Sequence, residues 1–307
     1  MTRIRFFIAF VASVFLASVA IQNATADDDL ARFRVGIAIG TDENVRERME
    51  PFRVALEEIV DRPVDLYLID TLGGVVEALA AGEIDYARLS PAAYGAADAV
   101  CSCVEPLVSA RPDEDTERFH AIVVAPRKDE LTTLDDLKGQ SLGVEDTRSI
   151  AGYRVPLANL KHEGVDPWTH FRALIQVADG VEGIQAVLDG RLGATLAWST
   201  MTGDQKKGYS SGSLTEIHKR NRSSLGKLAV VWQSQGIPFS AHVVREKLPD
   251  ELKRNLRAGL MELQETSAAA YAAIEPGLPG GFMPVVHSDF RAVMRTFEPE
   301  LQVVFGR

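Results

Sequence analysis

A two-lobed α/β fold, each lobe a mostly parallel sheet flanked by helices, is predicted by three observations. Apolar runs of strand length alternate with helix-period segments from Arg34 to Tyr94. The same alternation restarts after residue 125. The connections are long enough for crossovers rather than hairpins, which favours parallel pairing covered on both faces.

The elements follow in order. Arg34 to Ile39 reads as a buried strand, and 44–60 as an amphipathic helix with Val45, Met49, Phe52, Leu56 and Ile59 on one stripe. Pro51 should kink or split that helix. Val64 to Ile69 is a second strand, followed by a Gly73-Gly74 turn and a helix from Val75 to Ala81. A third strand lies within residues 82–90, and Pro91 suits the first position of the next helix. Val104 to Ala110 and Phe119 to Ala125 are strands around the charged loop 111–118. A short capped helix with a Gly139 stop, spanning 131–140, leads to strand 142–144, and a helix runs from Gly152 to Glu163. Strand 173–177, helix 181–188, strand 194–198, helix 214–221 and strands 228–233 and 241–244 follow. Leu252, Leu256, Leu260 and Leu263 recur at helix spacing; 276–284 is Gly- and Pro-rich and reads as irregular; 287–302 reads as one last helix.

The N-terminus has the form of a secretion signal. Arg3 and Arg5 precede the apolar run 6–19, and Ala24-Thr25-Ala26 forms an A-x-A site ahead of three aspartates. Cleavage after Ala26 and a periplasmic location are expected. The formal net charge is −10, and loss of Arg3 and Arg5 makes the mature chain two units more negative. That balance argues against nucleic acid or an anionic membrane as partner. Cys101-Ser102-Cys103 reads equally well as free thiols and as a cramped disulfide, with no metal-ligand partners nearby. The six histidines are scattered without ligand spacing, so neither a metal nor another cofactor is expected. No G-x-S-x-G, H-E-x-x-H or Cys–His constellation is visible, which argues against an enzyme.

The stretch from Ser141 to Pro156 is the most informative. It is a strand emptying into a polar turn, Glu145 to Ser149, at a helix start. Such a turn presents backbone N–H groups and the positive end of a helix dipole above the strand's carboxyl edge, where an anion is favoured. The competing reading is a plain βα loop in which Ser149 caps its own helix.

Four motifs add a resemblance. They are Gly82-x-x-Asp85 with Ser90-Pro91-x-x-Tyr94, Leu134-x-x-Leu137-Lys-Gly139, Ser149-x-x-Gly152-Tyr-x-x-Pro156, and Ala186-Val-Leu-x-Gly190-x-x-x-Ala194. In order and spacing the chain resembles the substrate-binding proteins of ABC importers, within them the phosphonate, phosphite and phosphate group. The resemblance implies the type II periplasmic binding protein fold, with lobe I from 27–120 plus 241–307 and lobe II from 121–240. Hinge crossings are expected near His120–Pro126 and Ile237–Val243, closing on a small anion in the cleft. It also implies an inner-membrane permease as partner and a monomeric protein. The ligand-binding candidates are Arg88, Ser90, Ser149, Ile150, Ala151, Gly152, Trp198 and Ser199. The chain departs from the group at several positions. The usual Ser-Thr-Ser-Gly loop reads Ser149-Ile150-Ala151-Gly152, Leu89-Ser90 replaces an aromatic–Gly pair, Leu72 stands where a tyrosine is usual, and a histidine before the second-lobe helix is missing. Arg88 is therefore weighed as a replacement cation against a solvated surface arginine, and Trp198 as a ligand platform against core packing. Beside transport, a sensory role with a receptor kinase and, further behind, an enzyme on the same fold are the alternatives.

Overall fold

A computed structural model describes residues 31–40, 44–128 and 133–302, so the signal sequence, its cleavage site and the start of the 131–140 helix lie outside the described residues. The chain opens with β1 (Phe33–Ala38), α1 (Val45–Val60), β2 (Val64–Ile69), α2 (Leu72–Ala81), β3 (Tyr86–Leu89), α3 (Pro91–Cys101) and β4 (Val104–Ala110). β1 pairs in parallel with β2 and β3. The later strands β11 (Ala241–Arg245) and β12 (Phe282–Pro284) join the same sheet antiparallel to their neighbours, giving the order β12-β4-β11-β3-β1-β2. A second sheet collects β5 (Arg118–Pro126), β6 (Ser141–Val144), β7 (Ala173–Gln176), β8 (Ala194–Ser199) and β10 (Ile237–Pro238) in the order β10-β5-β8-β6-β7, with β9 (Leu228–Gln233) also paired to β5. Here β6 runs parallel to β7 and β8, while β5 is antiparallel to its partners. Both sheets are thus mixed: three parallel strands made by the crossovers at one end, β3-β1-β2 and β8-β6-β7, continued by antiparallel pairings at the other.

Each sheet has apolar clusters on both faces. Phe33, Phe52, Leu56 and Tyr86 head one face of the first sheet, and Leu79, Ala87, Leu89 and Tyr94 the other. The second sheet is covered likewise around Leu142 and Leu157 on one side and Ile122 and Ile184 on the other. The chain crosses between sheets at 111–117 and at 239–240. Residues 120–126, expected to hold the first crossing, lie inside β5 instead, a continuous buried run whose backbone pairs with β8 on one side and β9 on the other.

Several local expectations are corrected. α1 is one helix with Pro51 inside it rather than two; Val45, Met49, Phe52, Leu56 and Val60 are all buried, and that stripe outweighs the single backbone hydrogen bond a proline removes. Gly73 and Gly74 belong to the first turn of α2, capped by Thr71, whose hydroxyl accepts from Gly74 N–H at 3.1 Å. Part of the irregular 276–284 segment forms β12. The last segment is broken into short turns, His287–Phe290, Arg291–Met294, Arg295–Phe297 and Pro299–Gln302. It bridges the two sheets: Ala292 and Val293 pack with Ala121, Val155 and Ile237, and the buried Asn159 amide donates to the Ala292 carbonyl at 2.8 Å.

Cys101 and Cys103 are disulfide-bonded. They do not share a strand: Cys101 ends α3, and Ser102 at φ 45° takes a left-handed turn that brings Cys103 back toward it. Because the closed loop is so short, the chain-entropy contribution is small. Cys103→Ser is expected to cost no more than about 2 kcal/mol in chemical denaturation, with wild type in reductant losing the same amount.

Candidate functional site

β6 delivers the chain into the turn at Glu145. Pro156 has no N–H to offer the carbonyl of Gly152, and that carbonyl accepts instead from Glu145 N–H at 2.9 Å. The first helical turn is correspondingly wide: Arg154 N–H donates to the Ser149 carbonyl five residues back, and residues Ile150–Arg154 form a π-turn before α4 (Val155–His162). Ser149 caps this turn, its hydroxyl oxygen accepting from Gly152 N–H at 3.0 Å. The same hydroxyl donates to the Glu145 carboxylate at 2.6 Å. A side chain on Gly152 would overlap Glu145, so the absent Cβ makes room for that carboxylate.

The opposite wall comes from the end of β8 and two helix starts, α5 (Gly180–Leu188) and α6 (Ser213–Arg220). Asp179 caps α5 and accepts from Glu182 N–H at 2.8 Å. Gly180 lies against Ala197 and Ser213, where a Cβ would crowd both. Trp198 is half-buried and stands edge-on to Phe119, ring centroids 6.2 Å apart; Phe119 in turn meets Phe239 at 5.4 Å. Between these walls is a cavity of about 560 Å³ lined by Ser149, Ile150, Ala151 and Trp198 together with Glu145, Asp179, Glu216, Phe119 and Phe239. A larger cavity of about 850 Å³ runs along β9, away from the strand ends that carry the turn, and none of the expected site residues lines it.

Four of the eight expected residues therefore come together, and four stand apart. Gly152 is buried beneath Glu145. Ser199 is buried, its hydroxyl oxygen accepting from Met201 N–H at 3.2 Å. Ser90, in the first sheet's half, caps α3 through Ala93 N–H at 3.2 Å. The Arg88 guanidinium is committed through Nε and Nη2 to the buried Glu275, 3.0 Å each, so its charge is already balanced within the protein. Arg148, in the turn itself, is exposed and turned onto its neighbour Asp146 at 2.7 Å. Sequence reading passed over Glu145, Asp179 and the aromatic pair Phe119 and Phe239. The two acids had a signal, since each directly follows or closely trails a strand that points at the cleft; the two phenylalanines had none.

Over residues 37–290 the sequence matches the family described as ABC transporter, phosphonate, periplasmic substrate-binding protein. The chain belongs to this family. Among curated relatives, the phosphate-import protein PhnD of Mycolicibacterium smegmatis is 24% identical over 259 residues, covering 81% of this chain and 77% of that protein. XAC2383 from Xanthomonas citri, solved bound to ATP, superposes with a TM-score of 0.56 at 15% identity over 89% of this chain and 98% of its own. Transferrin 1 from Manduca sexta gives 0.58 at 12% identity, over 90% of this chain and 47% of its own. At such identities the structural likenesses speak to the fold alone. In this phosphonate-type family the function is solute capture for an ABC permease.

Proposed function

We propose that the protein is the extracytoplasmic solute-binding component of an ABC importer, capturing a small phosphonate-like solute in the cavity over Ser149, Ile150, Ala151 and Trp198 and presenting it to an inner-membrane permease. It acts in the periplasm as a monomer, without catalysis and without nucleic acid. The observation that carries the reading is the family match across both sheets together with a cavity of small-ligand size at the strand and helix ends where α/β proteins bind. The acidic chain solubilises the protein but leaves it to local dipoles to hold an anionic group.

Titration calorimetry of the mature chain against methylphosphonate, organic phosphate monoesters and inorganic phosphate tests this. At least one is expected to bind, and Trp198→Ala is expected to weaken it by roughly tenfold through loss of an apolar wall. Absence of heat and of any thermal shift with all of them would sink the reading, because a ligand at a hundred times its Kd adds about 2.7 kcal/mol of stability.

A further inference from the structure

The anion that the turn at 149–152 would attract is already in place, and it belongs to the protein. The Glu145 carboxylate lies over Gly152, takes the Ser149 hydroxyl as donor, and is tethered by its own backbone N–H to the Gly152 carbonyl. The remaining lining adds to that sign. Asp179 and Glu216 also face the cavity, and among the described residues no lysine, arginine or histidine lines it. Two nearby cations are turned elsewhere: Arg148 holds Asp146, and Lys219 holds Glu216 at 2.7 Å, while Glu145 takes the Ser149 hydroxyl and Asp179 the Glu182 N–H. Beside the small and aliphatic groups of the lining the wall carries three aromatic rings, with Phe119 in contact with both Trp198 and Phe239. Carboxylates beside half-buried aromatic rings repel an oxyanion and attract a weakly hydrated cation.

We infer that the wall formed by Glu145, Asp179, Trp198, Phe119 and Phe239 recognises an alkylated ammonium group on the ligand, with Glu145 as the residue that sets the preference. This rests on the cleft being the solute site and adds a charge requirement to it: the preferred solute carries an ammonium group toward this wall and its oxyanion away from it. An alkylated ammonium gains more from the site than a bare one because its methyl groups bury against the aromatic rings while the carboxylates supply the opposite charge.

The test is competition calorimetry on the mature chain with three probes: methylphosphonate, phosphorylcholine and choline. Phosphorylcholine is expected to bind at least about tenfold more tightly than methylphosphonate, and choline alone to compete with it. Glu145→Gln keeps the shape of the turn and is expected to narrow that gap by roughly tenfold, weakening choline and strengthening methylphosphonate. Trp198→Leu supplies an independent variant that should weaken choline without improving methylphosphonate. Methylphosphonate binding as tightly as phosphorylcholine, with choline displacing neither, would overturn the ammonium site while leaving the importer reading intact. Choline binding that neither variant alters would overturn it as well, by placing the ammonium elsewhere.

Discussion

Replacing Asp85 with alanine is expected to destabilise the protein by about 3–5 kcal/mol, the usual consequence of removing one partner from a buried ion pair. Asp85 is 0% exposed at the entry to β3. Its carboxylate accepts from Arg34 N–H, Nε and Nη2, each at 2.9 Å, and from Arg245 Nε at 3.0 Å. Its backbone joins the same two strands, donating to the Arg34 carbonyl at 2.7 Å and accepting from Arg245 N–H at 3.1 Å. One residue therefore ties β1, β3 and β11 together, and alanine would take a shared counter-charge from two largely buried guanidinium groups. Urea denaturation followed by circular dichroism measures the loss, with Asp189→Ala, which breaks an exposed pair with Arg191, as the control expected to cost less than about 1 kcal/mol. Asp85 lies at the amino end of β3, opposite the end that leads into α3, so ligand affinity of the folded variant should stay unchanged. A loss for Asp85→Ala no larger than the control's would mean that the arginines simply rehydrate.

Asp85 also marks how far the sequence carried. Gly82-x-x-Asp85 belongs to a family-like pattern, but its meaning as a three-strand tie needs Arg34 and Arg245, which are distant in the chain. The strands themselves were readable because their apolar runs are set off by glycines and prolines; Val64–Ile69 and Leu228–Gln233 agree with the structure to the residue. What local pattern could not supply was the antiparallel insertion of β11 between β3 and β4, which depends on long-range pairing rather than on local periodicity. At the site, the turn after β6 was legible as an anion-attracting element, with Gly152 among its ligand-binding candidates. The group lying over Gly152, however, is the Glu145 side chain from the same turn. Arg88 illustrates the opposite failure: its type fits an oxyanion ligand, yet Glu275, far along the chain, takes both of its inner donors.

That arrangement carries the last prediction. Glu275→Ala is expected to cost about 3–5 kcal/mol and to flatten the acid side of the stability profile. Burial alone would raise the Glu275 carboxyl, but the His242 hydrogen bond and then the Arg88 guanidinium overcome it and hold the group below the usual carboxylate range. Burial pushes the His242 imidazole the other way from its carboxylate neighbour's pull and keeps it neutral. The hydroxyl of Tyr86, itself raised by burial and so kept protonated, donates to Nδ1 of His242. The ring proton then sits on Nε2 and is donated to Glu275 at 2.9 Å. Both shifts are depressions, so both contribute stability that is present above the unfolded values and lost as pH falls. Wild type should begin to lose stability as pH drops below 6.5, where His242 protonates only in the unfolded chain, and lose more below 4.5, where Glu275 does the same. Without the Glu275 carboxylate the second limb should shrink, and Glu275→Gln, which can still accept from Nε2, should cost less at neutral pH while sharing the flattened limb. Urea midpoints measured from pH 7 down to pH 3 distinguish the outcomes: an unchanged slope below pH 4.5 in both variants would show that the acid sensitivity arises from carboxylates outside the Tyr86–His242–Glu275–Arg88 network.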